Sequence, residues 1–136
     1  MSDNVLNGYL IVKSSTASGA IPVENVTVVV SGIEEENSDV LISLLTDRSG
    51  ITEKISLPAP SIDLANAPSP ATKPYYNYSI DVYKEGYYPQ HYNKVPIFEG
   101  ITAVQNARLI PIAEFDGKDP HYTPNQVFDE YENPNL

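Results

Sequence analysis

The chain has 136 residues with 18 acidic and 8 basic side chains, a formal charge of −10, 12 prolines, 7 glycines, 10 tyrosines and no cysteine. A single small domain of this composition has no disulfide or thiolate-bound metal to lean on and must fold by apolar packing alone. The acidic balance argues against nucleic acid, whose phosphates are neutralised by Lys and Arg, and against polybasic attachment to anionic lipid; apolar stretches such as Val28–Val30 also fall far short of the roughly 18 residues of a membrane-spanning helix.

Residues 1–10 show no basic segment, apolar run or small-residue cleavage site, so no secretory signal is expected and the cytoplasm is the expected compartment. From Val5 to Lys13 the pattern is β-prone, with Tyr9, Ile11 and Lys13 on one face and Leu10 and Val12 on the other. Ser14–Gly19 suits a turn, and Asn25–Gly32 is a nearly continuous β-branched run. Glu34–Asp39 reads as a solvated charged turn, after which Val40–Thr46 resumes the apolar pattern. Asp47-Arg-Ser-Gly50 has turn chemistry: Asp47 can accept backbone N–H groups just ahead of it, and Gly50 can take a positive φ. Ile51–Leu57 is then expected to return antiparallel to the strand before it.

Five prolines between Pro58 and Pro74 predict a long surface connection without a regular ladder. Tyr75–Glu85 alternates again, placing Tyr76, Tyr78, Ile80 and Val82 on a core-facing stripe until Gly86 breaks the run. His91–Phe98 and Ile101–Ile112 complete seven expected strands, and no segment carries a helical period. The expected fold is an all-β, seven-stranded antiparallel sandwich with Greek-key connections over residues 1–112. Residues 113–136 hold six acids against Lys118, so an extended or disordered acidic tail is expected, with docking on a partner as the other reading. Val26–Val30 is apolar enough to pair across a dimer if it lies on a sheet edge.

The order of these signals resembles the carboxypeptidase regulatory-like family of transthyretin-type sandwiches: Gly8-Tyr-Leu-Ile-Val, Ile21-Pro22, Leu45-Thr-Asp-Arg-Ser-Gly-Ile-Thr52 and Tyr78-Ser-Ile-Asp-Val, followed by Gly86-Tyr-Tyr-Pro. The variant with Leu57-Pro-Ala-Pro and Val95-Pro-Ile-Phe-Glu-Gly100, ahead of Leu109-Ile-Pro111, is similar to the sandwich modules near the N-terminus of clostridial spore cortex-lytic and peptidoglycan-binding proteins. Such modules are accessory and lack catalytic residues, so the resemblance implies a positioning or binding role in a spore or cell-wall context. The collagen-adhesin B-type repeat is a second relative by type. Tyr9-x-Ile11-x-Lys13 resembles its first strand, and Asn106 could serve as the partner of a Lys–Asn amide crosslink. Val82, however, stands where that family's strand carries the acid, and without a proton shuttle the amidation lacks its general acid/base.

No enzyme activity, metal or cofactor is expected. His91 and His121 stand apart without an H-x-x-x-H or cysteine partner, Glu34–Asp39 lacks the alternation of a calcium loop, and no nucleophile elbow or phosphate loop is present. The sequons at Asn25 and Asn77 are assigned no function. The unusual feature is tyrosine density between positions 75 and 92. Tyr75, Tyr83, Tyr87, Tyr88 and Tyr92 are the candidate contact residues, able to stack on sugars or on a protein partner; their other reading is as a cover for the end of a small core. Asp47, Gly50 and Gly86 are candidate structural turn residues. The expected function is a non-catalytic binding or scaffolding module acting on cell-wall glycan, with a protein-interaction adaptor docking through the acidic tail as the alternative.

Overall fold

The computed structural model describes residues 5–61 and 73–112, which form a β-sandwich of eight strands. These are β1 (Val5–Thr16), β2 (Ile21–Pro22), β3 (Thr27–Gly32), β4 (Leu41–Leu45), β5 (Ile55–Pro60), β6 (Tyr75–Tyr83), β7 (Gln90–Phe98) and β8 (Thr102–Arg108). In the first sheet Tyr9 pairs with both Ser56 and Thr102, and Ser15 with both Pro22 and Arg108. Strands β5 and β2 therefore share one side of β1, and β8 takes the other. The second sheet runs β4-β3-β6-β7.

The period-2 patterns orient both sheets. Leu10 and Val12 from β1, Val28 and Val30 from β3, and Tyr78, Ile80 and Val82 from β6 are fully buried between the sheets, with Leu57 and Ile97 closing the core. The Tyr78 ring crosses this interior, and its hydroxyl donates to the Pro58 carbonyl of the other sheet at 2.6 Å. Burial drives its pKa up to about 12, because the phenolate would lose its water.

Several expectations change. The eighth strand is the two-residue β2, which pairs with the end of β1. The pairing is not wholly antiparallel, since β1 and β8 run parallel over seven register positions. β5 does not return against β4. It lies in the other sheet, paired with β1, so residues 47–50 are a corner between sheets. Pro58 and Pro60 sit within β5, where an edge tolerates missing donors. β3 is an interior strand, so Val26–Val30 offers no open edge. The expectations for most of the Pro58–Pro74 connection, residues 62–72, and for the acidic segment 113–136 fall outside the described residues.

The corner is held by hydroxyls on both of its flanks. Asp47 Oδ1 accepts from the Ser49 and Ile51 N–H groups at 2.8 and 3.0 Å. On one side, buried Thr46 Oγ1 accepts from the Val26 N–H and donates to the Val23 carbonyl. On the other, buried Thr52 Oγ1 accepts from the Val12 N–H at 3.0 Å. Gly50 has φ 77°, and a Cβ there would stand 2.4 Å from the Ser14 carbonyl oxygen, so both conformation and space demand glycine.

The Glu34–Asp39 segment is a solvated turn, with Glu35, Glu36, Ser38 and Asp39 exposed, but it is anchored through Asn37 and Glu34. Asn37, at the end of a 3-10 turn over Glu35–Asn37, is fully buried; its amide donates to the Asn77 carbonyl, and its Oδ1 accepts from the Glu34 N–H. Glu34 in turn accepts from the Asn77 N–H at 2.7 Å and pairs with Lys73. Burial alone would raise the Glu34 pKa, but Lys73 and the Asn77 N–H outweigh it and hold the carboxyl below its usual range. Glu34 raises the Lys73 pKa in return.

Candidate functional site

The structure divides the tyrosine cluster. Tyr75 and Tyr83 lie at opposite ends of β6, about 26 Å apart along a strand of that length. At the first end Tyr75 packs on Phe98, with ring centroids 5.2 Å apart, and Lys73 stands 5.6 Å from the Tyr75 ring. At the other end, Gly86 takes φ 92°, and the chain is clasped by residues 110–112. Tyr88 N–H donates to the Ile110 carbonyl and Ile112 N–H to the Gly86 carbonyl. This clasp buries Tyr88 to 2% exposure and lays Tyr87 against the core. Tyr92 also packs on the core, and its hydroxyl meets Gln90. Tyr88 is therefore a core residue, not a contact residue, and Tyr87 and Tyr92 serve mainly as cover. Tyr83, 48% exposed, is the one candidate that presents itself as open surface.

Tyr83 belongs to an ordered face that tyrosine spacing alone did not disclose. With Val28, Val30, Ile80 and Val82 turned inward, the alternate residues of β3 and β6 face outward. Across the sheet they fall into rows. Leu45, Thr27 and Tyr83 are in register, and Ser43, Val29, Asp81 and His91 form the next row. Leu45 is 56% exposed. Strand spacing of about 4.8 Å puts Leu45 and Tyr83 two strands apart, with Thr27 between them. The result is a shelf of hydrocarbon and ring bordered by a polar pair, in which His91 Nδ1 and Asp81 Oδ1 lie 2.6 Å apart. Val29 separates the Asp81–His91 pair from Ser43 in this row, which supplies donors and acceptors beside the shelf.

A second concavity, of about 400 Å³, opens on the outer side of the first sheet, among Lys13, Ser15, Ser49, Ile51, Asn106 and Arg108. Parallel pairing of β1 and β8 sets Lys13 beside Asn106 and Ser15 beside Arg108. Among the described residues no carboxylate lies within ion-pair distance of either cation, so the hollow is locally positive on an acidic chain. Lys13 and Asn106 thus come together, but both are exposed on the outside while Val82 faces the interior. The hollow's lining includes no acid to shuttle a proton between them. Among the described residues there is also no group of three or more His, Asp or Glu side chains arranged to hold a metal, and no helix is long and apolar enough to cross a membrane.

No family model matches the chain, and no curated protein matches it. Among solved structures, the sandwich is similar to 3-chlorocatechol 1,2-dioxygenase from Rhodococcus opacus 1CP, with a TM-score of 0.41 and 11% identity, covering 78% of this chain. The chain spans 59% of the length of that enzyme chain. A likeness at this level carries no argument about chemistry.

Proposed function

We propose that this protein is a non-catalytic binding module whose contact surface is the outer face of the β4-β3-β6-β7 sheet, and that its ligand is a glycan of the bacterial cell wall or spore cortex. The observation that supports the surface is the Leu45–Thr27–Tyr83 row beside the Asp81–His91 pair. A tyrosine ring offers a broad amphipathic plate at low entropic cost, suited to the C–H face of a pyranose. A carboxylate and an imidazole beside it suit the sugar's hydroxyl and amide groups. The glycan class comes from the resemblance of Leu57–Pro60, Gly86–Pro89 and Val95–Gly100 to spore cortex-lytic and peptidoglycan-binding modules. With it comes the reading of the sandwich as transthyretin-like with Greek-key connections.

Co-sedimentation of the full chain with purified cortex and vegetative peptidoglycan tests this reading. Binding is expected to persist as salt is raised, because stacking and neutral hydrogen bonds are little screened. Tyr83→Ala is expected to weaken it about tenfold or more, equivalent to about 1.4 kcal/mol or more. A second reading, an adaptor docking a basic partner, has support in the charge of the C-terminal segment, with six acids against Lys118. It predicts the opposite salt response, and loss of binding on deletion of residues 113–136 with Tyr83 intact.

A further inference from the structure

Five strands lie at the borders of the two sheets, and four of them carry a feature that opposes further pairing. β2 is two residues long and ends on Pro22. β5 carries Pro58 and Pro60. β7 carries Pro96 and Lys94, the latter at φ 58°, which interrupts a regular ladder. The exit of β8 is clasped, with Gln90 donating to the Arg108 carbonyl and Tyr88 to that of Ile110. Proline, charge, irregular backbone and covering loops are the devices by which sheet borders are kept from joining other chains.

β4 has none of them. Its sequence, Leu-Ile-Ser-Leu-Leu, holds no proline, glycine or charge, and its outward leucines, Leu41 and Leu45, are 72% and 56% exposed. The bonds that flank it fix which backbone groups are open. Gly32 N–H donates to the Val40 carbonyl, and Thr46 N–H to that of Val26. Hydrogen-bonded positions alternate along an antiparallel pair, so Ile42 and Leu44 also turn their groups toward β3. Leu41, Ser43 and Leu45 turn theirs outward, where no partner is found among the described residues.

We infer that this border is the interface with a second copy of the chain, joined by antiparallel pairing of β4 with β4 about a two-fold axis at Ser43. The strand is self-complementary in that register: Ser43 meets Ser43, and Leu41 meets Leu45 twice. It is the register in which all three outward residues of each copy exchange ladder bonds. An isologous contact of this kind closes on itself and stops at two copies. The seam itself carries no charge, since Leu41–Leu45 has no ionisable side chain, so two chains of −10 meet along a neutral strand. The two four-stranded sheets then become one of eight strands. The pairing does not depend on the glycan reading, but it would set two glycan shelves on one continuous face.

Sedimentation equilibrium of the full chain over a dilution series, together with a crosslinking variant, tests the pairing. The average mass is expected to rise with concentration from 15.0 kDa toward twice that value. Ser43→Pro removes an outward N–H that the monomer does not use, so it is expected to stay monomeric over the same range with its circular dichroism spectrum preserved. Because the chain has no cysteine, Ser43→Cys carries a lone thiol. Directly opposed, hydrogen-bonded residues lie about 5.5 Å apart between Cα atoms, within disulfide reach. This variant is expected to form a covalent dimer under oxidised glutathione, while Ser56→Cys, exposed on β5, does not. A monomer at every concentration, a Ser43→Pro chain that sediments like the parent, or equal crosslinking of the two cysteine variants would each overturn the proposal.

Discussion

Thr46 and Thr52 hold the sandwich corner with single atoms. Each hydroxyl is the partner of a buried backbone N–H, that of Val26 or of Val12, and a valine in its place keeps the volume while orphaning the donor. Leaving such a group unsatisfied costs about 1–3 kcal/mol. Thr46→Val and Thr52→Val are expected to lower the urea midpoint accordingly, and an unchanged midpoint would mean that the hydroxyls do not carry the corner. At Gly50, adding a Cβ meets the Ser14 carbonyl oxygen in the disfavoured half of φ space, so Gly50→Val is expected to cost at least about 2 kcal/mol. Gly86 also has positive φ, but a Cβ there meets nothing within 4 Å. Gly86→Ala should cost about 1–2 kcal/mol, from the conformation alone.

Tyr78 supplies a pH signature at the same scale. Its folded pKa of about 12 lies above the ordinary 10, so the unfolded chain releases this proton first. The stability linked to it is fully present below pH 10 and is lost as pH rises from 10 through 12, amounting to about 2–3 kcal/mol. The difference between parent and Tyr78→Phe in alkaline absorbance titration should isolate one phenol ionising near pH 12. A difference curve centred at 10 would contradict the buried, hydrogen-bonded ring.

At the scale of elements, alternation disclosed faces but not neighbours. Tyr76, Tyr78, Ile80 and Val82 were legible as an inward stripe because period 2 reports which side of a strand is dry. The same signal is blind to partners, so the parallel β1–β8 pair, formed by residues 93 apart in sequence, left no mark that local pattern could reveal. The Asp47–Gly50 turn shows the limit most plainly. The bonds that Asp47 accepts are local and are the same whether the flanking strands pair or part; the bonds that tie the corner to both sheets, from Ser14 to the Gly50 carbonyl, from Val12 to Thr52 and from Val26 to Thr46, come from partners distant in sequence. Glu34–Asp39 was legible as a solvated turn because it is charged, but its anchor, Asn37, was not. Tyrosine density was read as one surface, and a nine-residue strand pulled its ends apart while the clasp at 110–112 buried Tyr88.

At the scale of the whole molecule, a −10 chain that pairs along a neutral border should respond to salt in a distinctive way. Screening reduces repulsion between copies, so the dimer fraction at fixed protein concentration is expected to grow with ionic strength, while acid-tail docking on a basic partner would fade. Analytical ultracentrifugation at low and high salt distinguishes the two. The outward face of the β4-β3-β6-β7 sheet and the cationic hollow by Lys13 and Arg108 are separate surfaces, on opposite sheets. The most direct measurement is therefore amide chemical-shift mapping of the full chain with soluble peptidoglycan fragments. Shifts clustered on Thr27–Val29, Ser43–Leu45, Asp81–Tyr83 and His91, and lost in Tyr83→Ala, are predicted. Shifts clustered on Lys13–Ser15 and Asn106–Arg108, or none at all, would contradict the assignment of that face as the glycan surface.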